Sequence, residues 1–170
     1  MAAAFLAVLV PEADRLIGNL RERWDPSARR GLGAHISVRY PFLLRRSMNG
    51  QDVQALTNAA AAVPAFDFEL VRVSQFPSTV FLDPEPTAPF AALRLAVERA
   101  FGLRLQPDMY PDYVPHLSVA RYVGREKMQV IEQTQSVLHS SRMAPRCTHL
   151  ALVERDEGPW LVRMWVPLGR

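Results

Sequence analysis

The tetrapeptide His35-Ile36-Ser37-Val38 returns 81 positions later as His116-Leu117-Ser118-Val119, each time ahead of a helical pattern. Side chains alternate between the two faces of a strand, so His35 and Ser37 point one way and Ile36 and Val38 the other. The second tetrad divides in the same manner. Packing against a core asks only for the aliphatic positions. A polar pair repeated at matching places therefore constrains the chain to a duplicated fold whose two copies present imidazole and hydroxyl to one cavity.

The rest of the chain is consistent with that duplication. Phe5 to Val10 reads as a buried strand, and Pro11 with Glu12 and Asp14 opens a helix with Leu16, Leu20 and Trp24 on one face. Ala34 to Tyr40 is the first motif strand, stopped by Pro41. A second helix runs from about Asn49 to Val63, with Val53, Leu56 and Ala60 inward. Phe66, Phe68 and Leu70 alternate with Asp67 and Glu69 as one strand, paired with Thr79 to Leu82. The order then repeats. Thr87 to Phe101 is a helix with Phe90, Leu93, Val97 and Phe101 on one face, and Gln106 to Pro115 a loop. His116 to Val123 is the second motif strand, Glu126 to His139 a helix, and Thr148 to Val153 with Trp160 to Val166 a closing hairpin. The expectation is an α+β fold of one domain over 1–170. Its two pseudo-twofold lobes, roughly 1–78 and 79–170 with strands exchanged between them, are each a β-α-β-α-β unit.

Composition narrows the functional classes. The chain is 49% hydrophobic with a net charge of +3, a globular balance with a mild preference for anions and no nucleic-acid coat. All basic residues but Lys127 are arginines, which favour planar, bidentate phosphate contacts. The single cysteine, Cys147, excludes an internal disulfide and multi-cysteine metal sites, and a reducing cytoplasm is the expected compartment. Met1 to Val10 lacks a basic lead-in and reads as a strand, and no run approaches membrane-spanning length. The four histidines show no short metal-ligand spacing, so no metal is expected.

Two imidazoles and two hydroxyls in one cleft suit phosphoryl transfer without a metal. Opening a cyclic phosphodiester takes a proton from the attacking water and delivers one to the departing ribose oxygen. Two groups with ordinary pKa values near 6.5 can hold opposite protonation states at neutral pH. The Ser37 and Ser118 hydroxyls are placed to hydrogen-bond the non-bridging oxygens, where negative charge accumulates.

His35-Ile36-Ser37-Val38-Arg39-Tyr40-Pro41-Phe42 and Pro115-His116-Leu117-Ser118-Val119-Ala120-Arg121 resemble the paired motifs of the two-histidine phosphoesterase superfamily. The nearest branch is the 2′-5′ RNA ligase-like proteins, also described as RNA 2′,3′-cyclic phosphodiesterases. Element order, motif separation and the stretch Val80-Phe81-Leu82-Asp83-Pro84-Glu85-Pro86 extend the likeness over nearly the whole chain. The resemblance implies two antiparallel sheets facing a central cleft, helices outside, and both histidines on the cleft floor. It further implies a 2′,3′-cyclic or 2′-5′ ribose phosphodiester as substrate, on RNA ends or small nucleotides, and no cofactor. His35 and His116 take the catalytic places and Ser37 and Ser118 the phosphate-binding ones, with serine where the family's His-x-Thr-x pattern often has threonine. Arg121 matches a recurrent phosphate clamp and Arg39 a less constant one. For hydrolysis the family's order makes His116 the base and His35 the acid, although a near-symmetric site permits the reverse.

Tyr40 and Phe42 flank the first motif as candidates to stack on a base, and Tyr110 and Tyr113 as candidate rim residues. His139, His149 and Cys147 lack a repeated partner and are read as structural. A monomer is expected. Two other classes remain open at this level: an RNA- or nucleotide-binding module without turnover, and a phosphodiesterase of a small metabolite such as a cyclic ADP-ribose phosphate.

Overall fold

The computed structural model describes residues 2–170. The chain runs β1 (Ala3–Leu9), α1 (Pro11–Trp24), β2 (His35–Arg39), α2 (Gly50–Ala61), β3 (Phe66–Asp67) and β4 (Glu69–Phe76). It continues as β5 (Thr79–Glu85), α3 (Ala88–Phe101), β6 (Leu117–Arg121), α4 (Lys127–Ser140), β7 (Arg146–Cys147), β8 (His149–Arg155) and β9 (Leu161–Pro167). Local chemistry accounts for the helix starts. Pro11 begins α1, with Glu12 and Asp14 in the first turn and Arg21 and Arg23 in the last, complementing the helix dipole. The Asn49 side chain accepts the Asp52 amide while the Asp52 carboxylate accepts the Asn49 amide, a reciprocal cap on α2.

Seven strands form one sheet in the order β4-β5-β6-β2-β1-β8-β9, with every neighbouring pair antiparallel. Strands pair across the two sequence units. β4, which ends the first unit, pairs with β5 of the second, and β8 of the second pairs with β1 of the first. The expected strand Phe66 to Leu70 is divided: β3 pairs with β7 in a sheet of two strands, and only from Glu69 does the chain join β5. Between them Phe66 and Phe68 both stand edge-on to Phe90, at 5.1 Å.

The two halves meet at β2 and β6, registered only at Ile36 opposite Leu117. Every other neighbouring pair in the sheet is registered over at least four residues. The expected separate sheets are thus joined at one narrow seam. α1 packs on β6 and α3 on β2, each helix covering the motif strand of the other unit. The main core, including Leu6, Ile17, Ile36, Leu56, Leu82, Phe90, Leu93, Leu117 and Leu152, fills the space between helices and sheet. A smaller cluster of Phe5, Ala7, Leu32, Ala151 and Val153 lies on the opposite, open face. No helix among the described residues is long and apolar enough to cross a membrane.

The buried face of α1 is not the one that carries its apolar series. In α1 the buried positions are Ala13, Ile17 and Arg21, while Leu16 is 38% exposed and Leu20 and Trp24 are half-buried. A hydrophobic pattern cannot place an arginine inside. Arg21 is tolerated there because its charge meets Asp14 at 3.2 Å and Asp25 at 3.1 Å.

Candidate active site

With Ile36 opposite Leu117 in an antiparallel pair, His35 lies across from Ser118 and Ser37 across from His116. Ile36 and Leu117 are fully buried on the helix side, so these four side chains share the open face. Directly opposed positions have Cβ atoms about 4.5–5.5 Å apart and diagonal ones about 7–8 Å. The two histidines occupy one diagonal and the two serines the other.

The imidazoles are held alike. His35 Nδ1 is 2.9 Å from the Gly33 carbonyl and His116 Nδ1 2.7 Å from the Val114 carbonyl. A carbonyl only accepts, so Nδ1 carries the hydrogen in both rings and Nε2 is the nitrogen with a free lone pair. Each ring also rests against a phenylalanine of the adjacent strand, His35 on Phe5 at 5.4 Å and His116 on Phe81 at 5.1 Å. Phe76 stands perpendicular to His116 at 5.2 Å. These aromatic walls were not identified from the sequence. The available signal was a phenylalanine in the strand hydrogen-bonded to each motif.

Burial pushes His35 down to about 4, aided by the positive charge of Arg21 and by His116, and opposed by the Gly33 carbonyl and Asp25. His116 is also lowered, by burial first and then Arg121, while the Val114 carbonyl and Asp83 act to raise it. In the ligand-free protein both rings are therefore neutral near pH 7. The half-sites differ in their charged neighbours, Arg21 at His35 and the opposed pair Arg121 and Asp83 at His116.

Both motif strands are interrupted at the same place. Ala7 pairs with Ser37 and Leu6 with Arg39, leaving Val38 as the extra residue of a bulge. Phe81 pairs with Ser118 and Val80 with Ala120, leaving Val119 in the same position. A bulge turns two successive side chains to one side. Val38 and Arg39 are accordingly both buried on the helix side, as are Val119 and Ala120. Tyr40 and Arg121 become the matching residues on the histidine face.

The bulge corrects one expectation. Arg39, expected from the resemblance as a less constant phosphate contact, is 4% exposed, with Asp108 at 3.2 Å and Glu98 at 3.7 Å. Phe42 is likewise not a stacking residue. It is 8% exposed and stands edge-on to Phe101 at 5.0 Å in the core. Tyr40 does lie on the open face, 6.2 Å from Phe5, and Arg121 is half-exposed there beside Tyr122.

Of the candidate rim residues, Tyr110 is 64% exposed. Tyr113 instead enters the seam, where its hydroxyl donates to the Ser37 carbonyl at 2.9 Å and burial raises its pKa far above the phenolic range. His149 lies beside Thr148 and Trp165, away from the motifs. Burial pushes the Cys147 thiol up to about 12, which leaves it protonated and unreactive. Among the described residues no three His, Cys, Asp or Glu side chains converge in a manner that would hold a metal ion.

The model of the 2′-5′ RNA ligase superfamily matches residues 9–159. No curated protein matches by sequence. Solved structures similar in fold include TT0787 of Thermus thermophilus, at 17% identity and a TM-score of 0.64 with 99% of both chains covered. E. coli LigT complexed with 3′-AMP aligns at 15% identity and a TM-score of 0.59, again over 99% of both chains. A further crystal structure, of a phosphoesterase, aligns at 16% identity and 0.58 over 99% of this chain and 98% of the other. Two duplicated motifs facing one another across a seam, within a family match that spans most of the sequence, identify the chain as a member of the 2′-5′ RNA ligase superfamily, the two-histidine phosphoesterases.

Proposed function

We propose that the chain is a phosphodiesterase that opens a 2′,3′-cyclic or 2′-5′ ribose phosphodiester by two-histidine acid and base catalysis without a metal. The observation that carries the reading is the diagonal placement of two imidazoles, each anchored through Nδ1 and each offering a free Nε2 to the same open face. Phosphorus bound over the seam has one imidazole on either side, as in-line displacement requires.

In the step, water oxygen bonds to phosphorus as the bond from phosphorus to the ribose oxygen breaks. One Nε2 takes the proton from water and the other, protonated beforehand, gives its proton to the departing oxygen. The Ser37 and Ser118 hydroxyls donate to the non-bridging oxygens, and Arg121 supplies positive charge from the edge. His35, kept neutral by burial and Arg21, suits the base; His116, near Asp83, suits the acid once a bound phosphate raises it. That is the reverse of the order implied by the resemblance. Nucleotide substrates are supported by crystal structures of E. coli LigT with 3′-AMP, NADP+ and ATP.

The test is turnover of 2′,3′-cyclic nucleotides and cyclic-phosphate-ended RNA in excess chelator. The parent is expected to be active, and His35→Ala and His116→Ala each to lose about 10²- to 10⁴-fold. Parent activity abolished by the chelator, or full activity in either folded variant, would refute the mechanism.

A further inference from the structure

Arg21 is the largest fully buried side chain of the protein, at 2% exposure, and all three of its nitrogens are engaged. Nε donates to the Ser118 carbonyl at 3.2 Å, Nη1 to the Leu32 carbonyl at 3.1 Å and Asp14 at 3.2 Å, and Nη2 to Asp25 at 3.1 Å. The partners extend the network in both directions. Asp25, fully buried, also accepts the amide and hydroxyl of Ser27 at 2.9 and 2.7 Å. Asp14 accepts the Ala34 amide with both oxygens, at 2.8 and 3.0 Å.

Those contacts converge on the segment that orients His35. Gly33 supplies the carbonyl that fixes His35 Nδ1, and a Cβ at Gly33 would approach Asp14 Oδ2 to 3.0 Å, so glycine lets the segment pass close to the carboxylate. On the other side, the Ser118 carbonyl belongs to the second motif and lies at the seam, where β2 and β6 share only one registered pair. The corresponding carbonyl of the first motif, Ser37, is held by Tyr113, whose ring lies under Arg94 at 4.8 Å. Matching carbonyls are thus held by a cation in one half and a neutral phenol in the other.

We propose that Arg21, which belongs to neither motif, is the positioning residue that joins the two half-sites: it holds Ser118 through the backbone of β6 and His35 through the Leu32–Ala34 segment, and places a fixed positive charge beside His35. The activity arm of this proposal rests on the phosphodiesterase reading; the titration arm does not. The charged groups that bear on His35 are Arg21 and Asp25 from the first helix and its C-terminal end and His116 across the seam, with Asp14 bound to Arg21. β1, on its other flank, contributes the uncharged ring of Phe5.

The experiment follows the ring protons of His35 and His116 by NMR against pH, together with kcat and KM on a 2′,3′-cyclic nucleotide, in the parent, Arg21→Gln and Arg21→Lys. If Arg21→Gln does not fold, Arg21→Met in an Asp25→Asn background is compared with Asp25→Asn alone, so that the Asp25 charge, which acts on His35 in the opposite direction, is absent from both. Loss of the charge is expected to raise the His35 midpoint by about half a unit or more and leave that of His116 nearly unchanged. Loss of the guanidinium fork should lower kcat about tenfold and alter KM less, because the displaced His35 and Ser118 act chiefly on the proton and the negative charge of the transition state. Arg21→Lys should restore the His35 midpoint and only part of kcat. An unmoved His35 midpoint in a folded charge-free variant, equal movement of both histidines, or a rise in KM at constant kcat would each overturn the proposal. If the parent turns over no cyclic phosphate, the phosphodiesterase reading fails and the titration still decides the role of Arg21.

Discussion

The pH dependence of turnover should differ between free and substrate-bound enzyme, and the size of the difference follows from the site. His35, lowered to about 4, is available as a base across the neutral range. His116 must carry a proton to act as the acid, yet burial and Arg121 hold it below its ordinary value of 6.5. The protonated fraction of a histidine falls tenfold for each pH unit above its midpoint, and kcat/KM reports the free enzyme. The profile of kcat/KM should therefore peak between about 4 and 6.5 and fall to less than about a tenth of its maximum by pH 7.5. Binding changes the balance. A phosphate monoanion about 5 Å from an imidazolium, at an effective dielectric near 20, favours the charged ring by about 3 kcal/mol, or about two pH units. Both limbs of kcat should accordingly lie about two units above those of kcat/KM, because the same phosphate faces both rings, so KM climbs as pH rises. The assay is steady-state hydrolysis of a 2′,3′-cyclic nucleotide at constant ionic strength from about pH 4 to about pH 8. In the residual activity of His35→Ala the ascending limb should vanish, and in that of His116→Ala the descending limb. A kcat/KM that is flat or rising between about pH 6 and 8, or limbs that coincide in kcat and kcat/KM, would refute this account of the site.

Two further outcomes separate site from scaffold. Tyr40→Ala should raise KM about tenfold with little loss of stability, as expected when one base-stacking surface of about 1–3 kcal/mol is removed; Phe42→Ala should cost about 3–5 kcal/mol in denaturant unfolding and leave KM unchanged. Asn49→Ala removes the reciprocal cap of α2 and should cost about 1 kcal/mol, seen as a fall of about 2–4 °C in thermal unfolding, with kcat unaffected.

Much of the candidate site was legible because it is local. His35 and Ser37 share a face by strand geometry alone, as do His116 and Ser118, and their recurrence pointed to one cavity before any pairing was known. The helix faces of α2 and α3 were legible for the same reason: Leu56, Ala60, Phe90, Leu93, Val97 and Phe101 follow the helical period and are buried. Arg39, Phe42 and the inner face of α1 were not. Arg39 leaves the histidine face because Val38 is an extra residue relative to β1, and a bulge is defined only by the register of two strands. Phe42 is claimed by Phe101, a residue distant in sequence.

The amino-acid order by itself determined that there are two equivalent motif strands and which side of each is polar, since both follow from side-chain periodicity. Only the tertiary structure decided that His35 faces Ser118 and His116 faces Ser37, that Arg39 leaves their side of the sheet while Tyr40 and Arg121 stay on it, and that a buried arginine lies next to one histidine and not the other. Those facts depend on strand register and on charges brought together from separate elements, and neither is encoded in the spacing of residues along one strand.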